Sequence, residues 1–234
     1  MNEFNENGFF TSDFSVERTN NFVRKVLLNM VLGLIITAVV PLYLVFIDPE
    51  MLYRTQMYFK PIIIGQFVLV AVLSFAINKI SSTVARLLFC IYAISNGVVL
   101  SSITFIFSPI SILYALAITI IMFIVTAIYG YTTKEDLTKY SGYLMAGLIT
   151  IIIISLINFF FKVSMIYWVV TILGTVIFSA LIAYDINRIK NLAINAGNID
   201  GETLEKLGIF GALSLYLDFI NLFLYILRLT SRKK

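Results

Sequence analysis

Seven apolar runs, separated by short polar stretches, divide the chain. Each is about 18 to 24 residues long, the length an α-helix needs to cross a hydrocarbon core of about 30 Å. One helix over the third and fourth runs would be about 68 Å long, so the chain must break between them, at Ser108 and Pro109. The pattern predicts an all-α integral membrane protein with seven transmembrane helices. The runs cover residues 26–47, 61–78, 87–107, 110–131, 142–161, 163–186 and 207–229.

The first 24 residues differ from the rest because they are polar and mixed in charge. They lack the basic start and short apolar core that are typical of a secretory signal peptide. We therefore predict two parts: a polar cytoplasmic N-terminal tail at residues 1–24, and a single seven-helix transmembrane domain at residues 25–234.

The basic residues predict the orientation of the chain. With seven full crossings, the tail and the loops after the second, fourth and sixth runs carry ten of them. The opposite loops carry only Arg54, Lys60 and Lys162 before the C-terminus is counted. Because basic loops stay in the cytoplasm, the N-terminus is predicted to be cytoplasmic. The basic residues from Arg228 onward then fall on the other side, so the last run either crosses completely or enters the membrane and returns.

The amino-acid composition excludes several classes of catalytic and metal site. The chain is 60% hydrophobic and 13% charged, with a mean hydropathy of +0.96, so it belongs in a lipid bilayer. It has no histidine and one cysteine, which excludes a Ser-His-Asp hydrolase, a Cys/His zinc site and a disulfide within the chain. The net charge of +4 reflects topology, and we expect no nucleic-acid partner and no cofactor.

The last run carries one polar stripe on an otherwise apolar helix. A carboxylate near the middle of a membrane helix should face protein or a water-filled cavity, because exposure to lipid is too costly. Asp218 is that carboxylate, and we interpret the other polar members of the stripe as groups that support it. At steps of 3, 4, 3, 4 and 3 the stripe contains Gly211, Ser214, Asp218, Asn221, Tyr225 and Arg228.

A second carboxylate, Asp185, lies near the cytoplasmic end of the sixth run. The sixth and seventh runs are consecutive and antiparallel, so Asp185 and Asp218 can face each other. Two carboxylates close together in a low dielectric share a proton, which would make a pH-sensitive latch. The same oxygens could bind Ca²⁺ transiently, although two carboxylates are far from a shell of six to eight ligands.

Two other readings of these aspartates stay open. Either aspartate can have a structural role, hydrogen-bonded to a neighbour or paired with Arg188 or Arg228. Tyr184-Asp185 also matches the first half of the intramembrane aspartyl protease pattern. The second half, Gly-x-Gly-Asp, is absent, because this chain has Leu215-Tyr216-Leu217-Asp218 there, and the bulky leucine and tyrosine side chains would obstruct a substrate backbone.

Three segments closely resemble the signature segments of the Bax inhibitor family, also called the transmembrane Bax inhibitor motif family. They are GYTTKEDLTKYSGYLMAGLI from Gly130, GTVIFSALIAYDINRIK from Gly174 and GALSLYLDFINLFLYILRL from Gly211. The first run, NFVRKVLLNMVLGLIITAVV, is similar to the opening helix of the family. The resemblance implies a seven-helix fold with the last helix at its centre, and a Ca²⁺ leak gated by pH through paired aspartates, which correspond to Asp185 and Asp218. One departure is neutral Gln66 in the second run, where members often carry an acidic residue.

The leading hypothesis is a pH-sensitive Ca²⁺ leak protein of a bacterial inner membrane, in which Asp185 and Asp218 share a proton. Some family members are instead known as modulators of a membrane AAA protease or as suppressors of cell death. A second hypothesis is therefore a non-enzymatic regulator that contacts such a protease through the N-terminal tail.

Overall fold

The computed structural model describes residues 6–76, 79–196 and 199–230, with side chains from Val16 onward. These residues form α-helices joined by short connections and two 3₁₀ turns, and contain no strand, so the all-α prediction is confirmed. The helices are α1 (Glu6–Phe46), α2 (Pro49–Met57), α3 (Phe59–Phe75), α4 (Ser82–Ser101), α5 (Pro109–Thr132), α6 (Ser141–Phe161), α7 (Ser164–Ile194) and α8 (Gly201–Thr230); the 3₁₀ turns are Ser102–Phe105 and Leu137–Tyr140.

Six of these helices are long and apolar enough to cross a membrane, and α2 with α3 forms a bent pair that meets the same test. The two halves of the pair meet at 75°. Proline lacks the N–H that a continuing helix would need, and Pro61 stands in the first turn of α3, directly after the bend. The predicted second run thus begins at α3, and its last two residues, 77 and 78, lie outside the described part.

The directions of the helices follow from their contacts. The Thr37 hydroxyl of α1 donates to the Ala93 carbonyl of α4, and the first turns of α4 and α8 meet where Glu202 accepts hydrogen bonds from Ser82. α1, α4 and α8 therefore run in parallel. They start at the end of the bundle that carries Arg86 and Lys206, called the basic end, and finish at the opposite end. Because α1 finishes and α4 begins at different ends, α3 must traverse the bundle between them. With the bent pair counted as one span, the described helices supply up to seven candidate crossings, and the exact number stays a prediction.

The C-terminal helix is the most buried of the spans. Within its most apolar window 67% of the residues are buried, against 39% or less in each of the other five long helices. α8 packs against α1, α4, α5 and α7. In contrast, only 6% of the residues in the most apolar window of α6 are buried, so most of its apolar side chains are available to lipid. α8 carries the buried carboxylate of Asp218, and an ionisable side chain within a membrane helix faces protein rather than lipid, which accounts for the buried position of α8.

Both ends of the chain sharpen the sequence interpretation. α1 runs without a break across residue 24, and Arg18, inside the predicted tail, donates to the Ala196 carbonyl at 3.1 Å. α8 is also continuous and about 45 Å long, which is long enough for a full crossing, and its described residues contain no return turn. Residues 1–5 of the tail and the basic residues 232–234 lie outside the described part.

Candidate functional site

The structure brings Asp185 of α7 and Asp218 of α8 together. Both side chains are buried, with 6% and 7% of their surface exposed, and their carboxyl groups lie within hydrogen-bonding reach of each other. The antiparallel packing of the two helices produces this meeting, since Ile189, one turn after Asp185, lies against Gly211, two turns before Asp218. A carboxyl–carboxyl contact of this kind is a hydrogen bond only when one partner carries a proton.

Arg188 joins the same cluster from α7. Its Nη2 lies 3.3 Å from Asp185 Oδ1 and donates to Ser214 Oγ of α8 at 3.4 Å. The guanidinium also lies over the rings of Tyr184 and Phe210, at 5.8 and 5.7 Å from their centroids. About a third of the arginine side chain is exposed, whereas the aspartates are not. Arg188 therefore stands between the buried carboxyls and the basic end of the bundle.

One oxygen of the pair lacks a donor. Asp218 Oδ2 is buried, and no N–H or O–H group of the described residues donates to it. A buried polar atom without a partner costs about 1 to 3 kcal/mol, more if it is charged. A proton held between the two carboxyls would remove that cost by turning one of them into a donor. The geometry can therefore store one proton, with Arg188 balancing the remaining negative charge.

α7 is held in place on its other side by α5. A Cβ at Gly130 would overlap the carbonyl of Ala183, so the two backbones approach so closely that only glycine fits. Beyond this contact, the Lys190 ammonium donates to the carbonyls of Tyr131 and Thr133 at 2.8 and 3.0 Å. These carbonyls end α5 and would otherwise lack a partner.

Asn187 fastens α7 to the connection between α5 and α6. Its side chain is buried, accepts from the Leu137 amide at 3.0 Å, and donates to the carbonyls of Gly130 and Glu135. Two residues from Asp185, this amide satisfies three backbone groups of a turn that has few partners of its own. The position of Asp185 is thus fixed by contacts at the basic end of α7.

The predicted polar stripe of α8 divides. Ser214 contacts Arg188, as described above, but Asn221 donates to the Leu217 carbonyl of its own helix at 2.8 Å. Tyr225 stacks on Phe178, and the guanidinium of Arg228 lies 5.3 Å from the Tyr225 ring centroid. The structure therefore groups Ser214 with the aspartates and gives Asn221, Tyr225 and Arg228 other contacts. A supporting role for these three residues stays a prediction.

Comparison with known proteins assigns the fold to a family. The sequence model described as "Inhibitor of apoptosis-promoting Bax1" matches residues 19–234. This chain belongs to the Bax inhibitor family. The resemblance that the signature segments indicated is confirmed.

Bacterial relatives of this Bax inhibitor family chain match it over most of their length. The inner membrane protein YbhL of Escherichia coli is 39% identical over 207 residues, which cover 88% of both chains. An uncharacterised protein of Borreliella burgdorferi is 41% identical over 92% of this chain and 93% of its own. One of Rickettsia prowazekii is 34% identical over 93% and 92%. Together with its apolar helices, these matches make the chain a multi-pass membrane protein.

Sequence reasoning missed a second buried polar cluster in this family member. Tyr216 of α8 is completely buried, and its hydroxyl lies 2.6 Å from Thr37 Oγ1 of α1 and 2.8 Å from Asn96 Nδ2 of α4. Asn96 therefore bonds between helices. Tyr216 falls between two leucines and off the polar stripe, so periodicity gave no reason to select it. A tyrosine hydroxyl inside an apolar helix, which needs a partner, was the available signal.

The aspartates do not form a larger metal cluster. Within the described ranges, no group of three or more Asp, Glu, Cys or His side chains is arranged to hold a metal ion. Two carboxyl groups supply at most four of the six to eight oxygens that Ca²⁺ prefers. The arrangement can therefore contact a passing cation more readily than it can retain one.

Proposed function

We propose that this protein is a pH-sensitive Ca²⁺ leak channel of a bacterial inner membrane, with its N-terminus in the cytoplasm, and that it is not an enzyme. The observation that carries the proposal is the buried contact between Asp185 and Asp218, with Arg188 beside it. A chain without histidine has few other groups that can hold a proton inside the membrane. The contact lies between α7 and α8, so its state bears directly on how these two helices pack.

The charge balance of the cluster provides the gate. With one shared proton, the two carboxyls carry one negative charge, which Arg188 neutralises, and the hydrogen bond between them links α7 to α8. Loss of the proton leaves two carboxylates repelling each other in a low dielectric. Gain of a second proton removes the partner of Arg188. Either change loosens the helix pair, so the population of open channels depends on pH.

A Ca²⁺ ion would pass along the loosened seam between α7 and α8. Ionised carboxylates are hard oxygen ligands, which suit Ca²⁺, and two of them without further ligands bind it weakly. Conduction requires binding that is favourable enough for entry and weak enough for release. The position of Arg188 at the basic end means that it must move aside when the seam opens.

The packing around Asp218 supports a role without catalysis. Leu215 and Tyr216, which precede it, are completely buried, and the Tyr216 hydroxyl is hydrogen-bonded on α1 and α4. A peptide substrate would have to displace both side chains to reach the carboxyl. An intramembrane protease instead needs small residues beside its aspartate so that the substrate backbone can approach.

The test is Ca²⁺ flux from proteoliposomes across a pH series. We expect Asp185→Asn and Asp218→Asn each to flatten the pH dependence, because an amide cannot take part in the proton exchange. Asp200→Asn is the matched control, since Asp200 is an exposed aspartate in the connection before α8 and asparagine can keep its hydrogen bond to the Thr203 amide. This variant should keep the wild-type profile. If both Asp185→Asn and Asp218→Asn keep the wild-type flux and pH profile, the proposal is wrong.

A further inference from the structure

The hydroxyl of Tyr216 lies at the junction of three helices. It lies within hydrogen-bonding distance of Thr37 of α1 and Asn96 of α4, at 2.6 and 2.8 Å. The ring is held by edge contacts with Phe89 and Tyr92 of α4, at centroid distances of 5.5 and 5.8 Å. The side chain is therefore fixed both by packing and by hydrogen bonds.

The hydrogen bonds have a defined direction. Asn96 Nδ2 can only donate, so the Tyr216 oxygen accepts from it. The one proton of the Thr37 hydroxyl goes to the Ala93 carbonyl at 2.9 Å, so the Tyr216 hydroxyl must donate to Thr37. The chain thus runs from Asn96 through Tyr216 and Thr37 to a backbone carbonyl of α4. Each hydroxyl proton is used once, and one rotational position of α8 satisfies the whole set.

Tyr216 and Asp218 point to opposite sides of their helix. Two residues correspond to about 200° of rotation in an α-helix, so one side chain faces α1 and α4 while the other faces α7. Most other side chains of the crossing are Leu, Ile and Phe, which pack in many rotations. Directional hydrogen bonds can therefore decide how the helix is turned.

We infer that the Tyr216 hydroxyl is a positioning group that sets the rotation of α8, so that Asp218 faces Asp185. The contact at Tyr216 holds α8 against α1 and α4. The packing of α8 against α7 is then the contact that can loosen. The consequence for gating rests on the proposed function. The rotation itself does not.

The rotation of α8 has to be set accurately for Asp218 to reach Asp185. At the outer radius of a helix, about 5 to 6 Å from the axis, a rotation of 30° displaces a side-chain group by about 3 Å. That displacement is enough to break a hydrogen bond between two carboxyls, because such bonds weaken steeply beyond about 3 Å. A small loss of rotational control would therefore be visible at Asp218.

The charged and titratable neighbours lie on both sides of α8. Asp218 is faced from α7 by Asp185 and Arg188, and Tyr216 is faced from α4 by Tyr92. From α1 the neighbour is Thr37, which does not titrate. A change at the Tyr216 hydroxyl can therefore reach Asp218 through the orientation of α8 and not through a new charge.

A disulfide cross-link between α7 and α8 tests the rotation. In a Cys90→Ser background, Ile189→Cys with Gly211→Cys places two thiols at a close contact: a Cβ at Gly211 lies 3.1 Å from an Ile189 side-chain carbon, which the first substitution removes. Tyr216→Phe removes only the hydroxyl. Thr37→Val removes the acceptor at nearly constant size, and Thr37→Ser restores it. Tyr143→Phe is the control, since it removes the hydroxyl of a tyrosine of α6 that is 80% exposed.

We expect Tyr216→Phe and Thr37→Val to lower the initial cross-linking rate by about threefold, the population change that one interhelical hydrogen bond in a membrane protein controls. Thr37→Ser and Tyr143→Phe should retain the original rate. In the flux assay, Tyr216→Phe should shift the pH midpoint, although both aspartates are present. Size-exclusion chromatography first establishes that each variant is folded, and Thr37→Val replaces Tyr216→Phe if the latter is not.

A wild-type cross-linking rate in folded Tyr216→Phe and Thr37→Val would overturn the inference. An equal loss in Tyr143→Phe would do the same, because the effect would then follow from any lost hydroxyl. The cross-link is measured without Ca²⁺, so it stands apart from the leak. If wild-type flux is independent of pH while the cross-link responds as expected, the proposed function fails and the role of Tyr216 stands.

Discussion

The two sides of α8 both bury polar side chains, but they satisfy them differently. Toward α1 and α4, the Tyr216 hydroxyl accepts one hydrogen bond and donates another. Toward α7, Asp218 Oδ2 receives no donor from any described residue. A fully satisfied network makes one arrangement stable, and an incomplete one leaves a position that a proton can fill. The hydrogen-bonded contact thus lies on one side of the helix, and the oxygen without a donor, which the proposed function makes the proton site, lies on the other.

The largest expected effect is on the satisfied side. Tyr216→Ala leaves a cavity among Phe89 and Tyr92 and removes the partner of Asn96, so we expect the free energy of unfolding to fall by about 3 kcal/mol. Thermal unfolding in detergent micelles measures it. Tyr143→Ala is the control, because Tyr143 is 80% exposed and its loss should be nearly neutral. Equal midpoints for the two variants would remove the contrast between the sides of α8.

A smaller effect of opposite sign is expected on the other side. Asp218→Asn supplies an N–H donor where the aspartate needs a proton, so it should be neutral or should stabilise the protein by up to about 1 kcal/mol. Thermal unfolding at neutral pH measures this, beside the exposed control Asp200→Asn. A loss as large as that of Tyr216→Ala would mean that the carboxyl of Asp218 is as fully bonded as the Tyr216 hydroxyl.

The smallest effect concerns an aspartate at the surface, outside the spans. Hydrogen bonds from the Thr138 hydroxyl and amide, at 2.7 and 3.0 Å, lower the pKa of Asp136 below its usual 3.8. A lowered pKa in the folded state means that the stabilisation is complete above pH 3.8 and is lost as the pH falls through the lower value. The Thr138 amide should therefore lose protection from hydrogen exchange, relative to its intrinsic rate, only at acidic pH.

Amide hydrogen exchange of Thr138 measures this effect, with Asp136→Asn as the control. Asparagine can accept the same bonds but does not titrate in this range, so its exchange, corrected for the intrinsic rate, should not change with pH. A pH dependence that persists in Asp136→Asn would assign the effect to another group.

Several features of the fold could be read from local pattern. Apolar runs of membrane length predicted the crossing helices, and the break at Ser108 and Pro109 was correct, since α5 begins at Pro109. Helix spacing placed Asp185 and Asp218 at similar depths on consecutive antiparallel helices, so that they could face each other, but it did not fix the rotation that makes them do so. The bend between α2 and α3 was not predicted, since the apolar pattern indicates only that a run begins at residue 61.

The candidate site was predicted in part, for a physical reason. Asp185, Asp218 and Ser214 are polar on faces that their sequence spacing defines. Asn221 shows the limit of such spacing, because a residue on the same stripe can bond to a carbonyl of its own helix. Asn187 was missed because its partners lie in a distant turn, at 50 or more positions along the chain.

The sequence by itself determined that this chain crosses a membrane, which family it belongs to, and that two aspartates lie on consecutive helices. These conclusions rest on composition, on signature segments and on the helical repeat. In lipid the apolar runs must be helical, because every buried backbone group needs a hydrogen-bond partner. The tertiary structure alone decided that Tyr216 meets Thr37 and Asn96, that Arg188 stands beside Asp185, and that Asp218 keeps an oxygen without a donor. Those facts depend on the relative rotation and depth of helices distant in sequence, which packing fixes and periodicity does not.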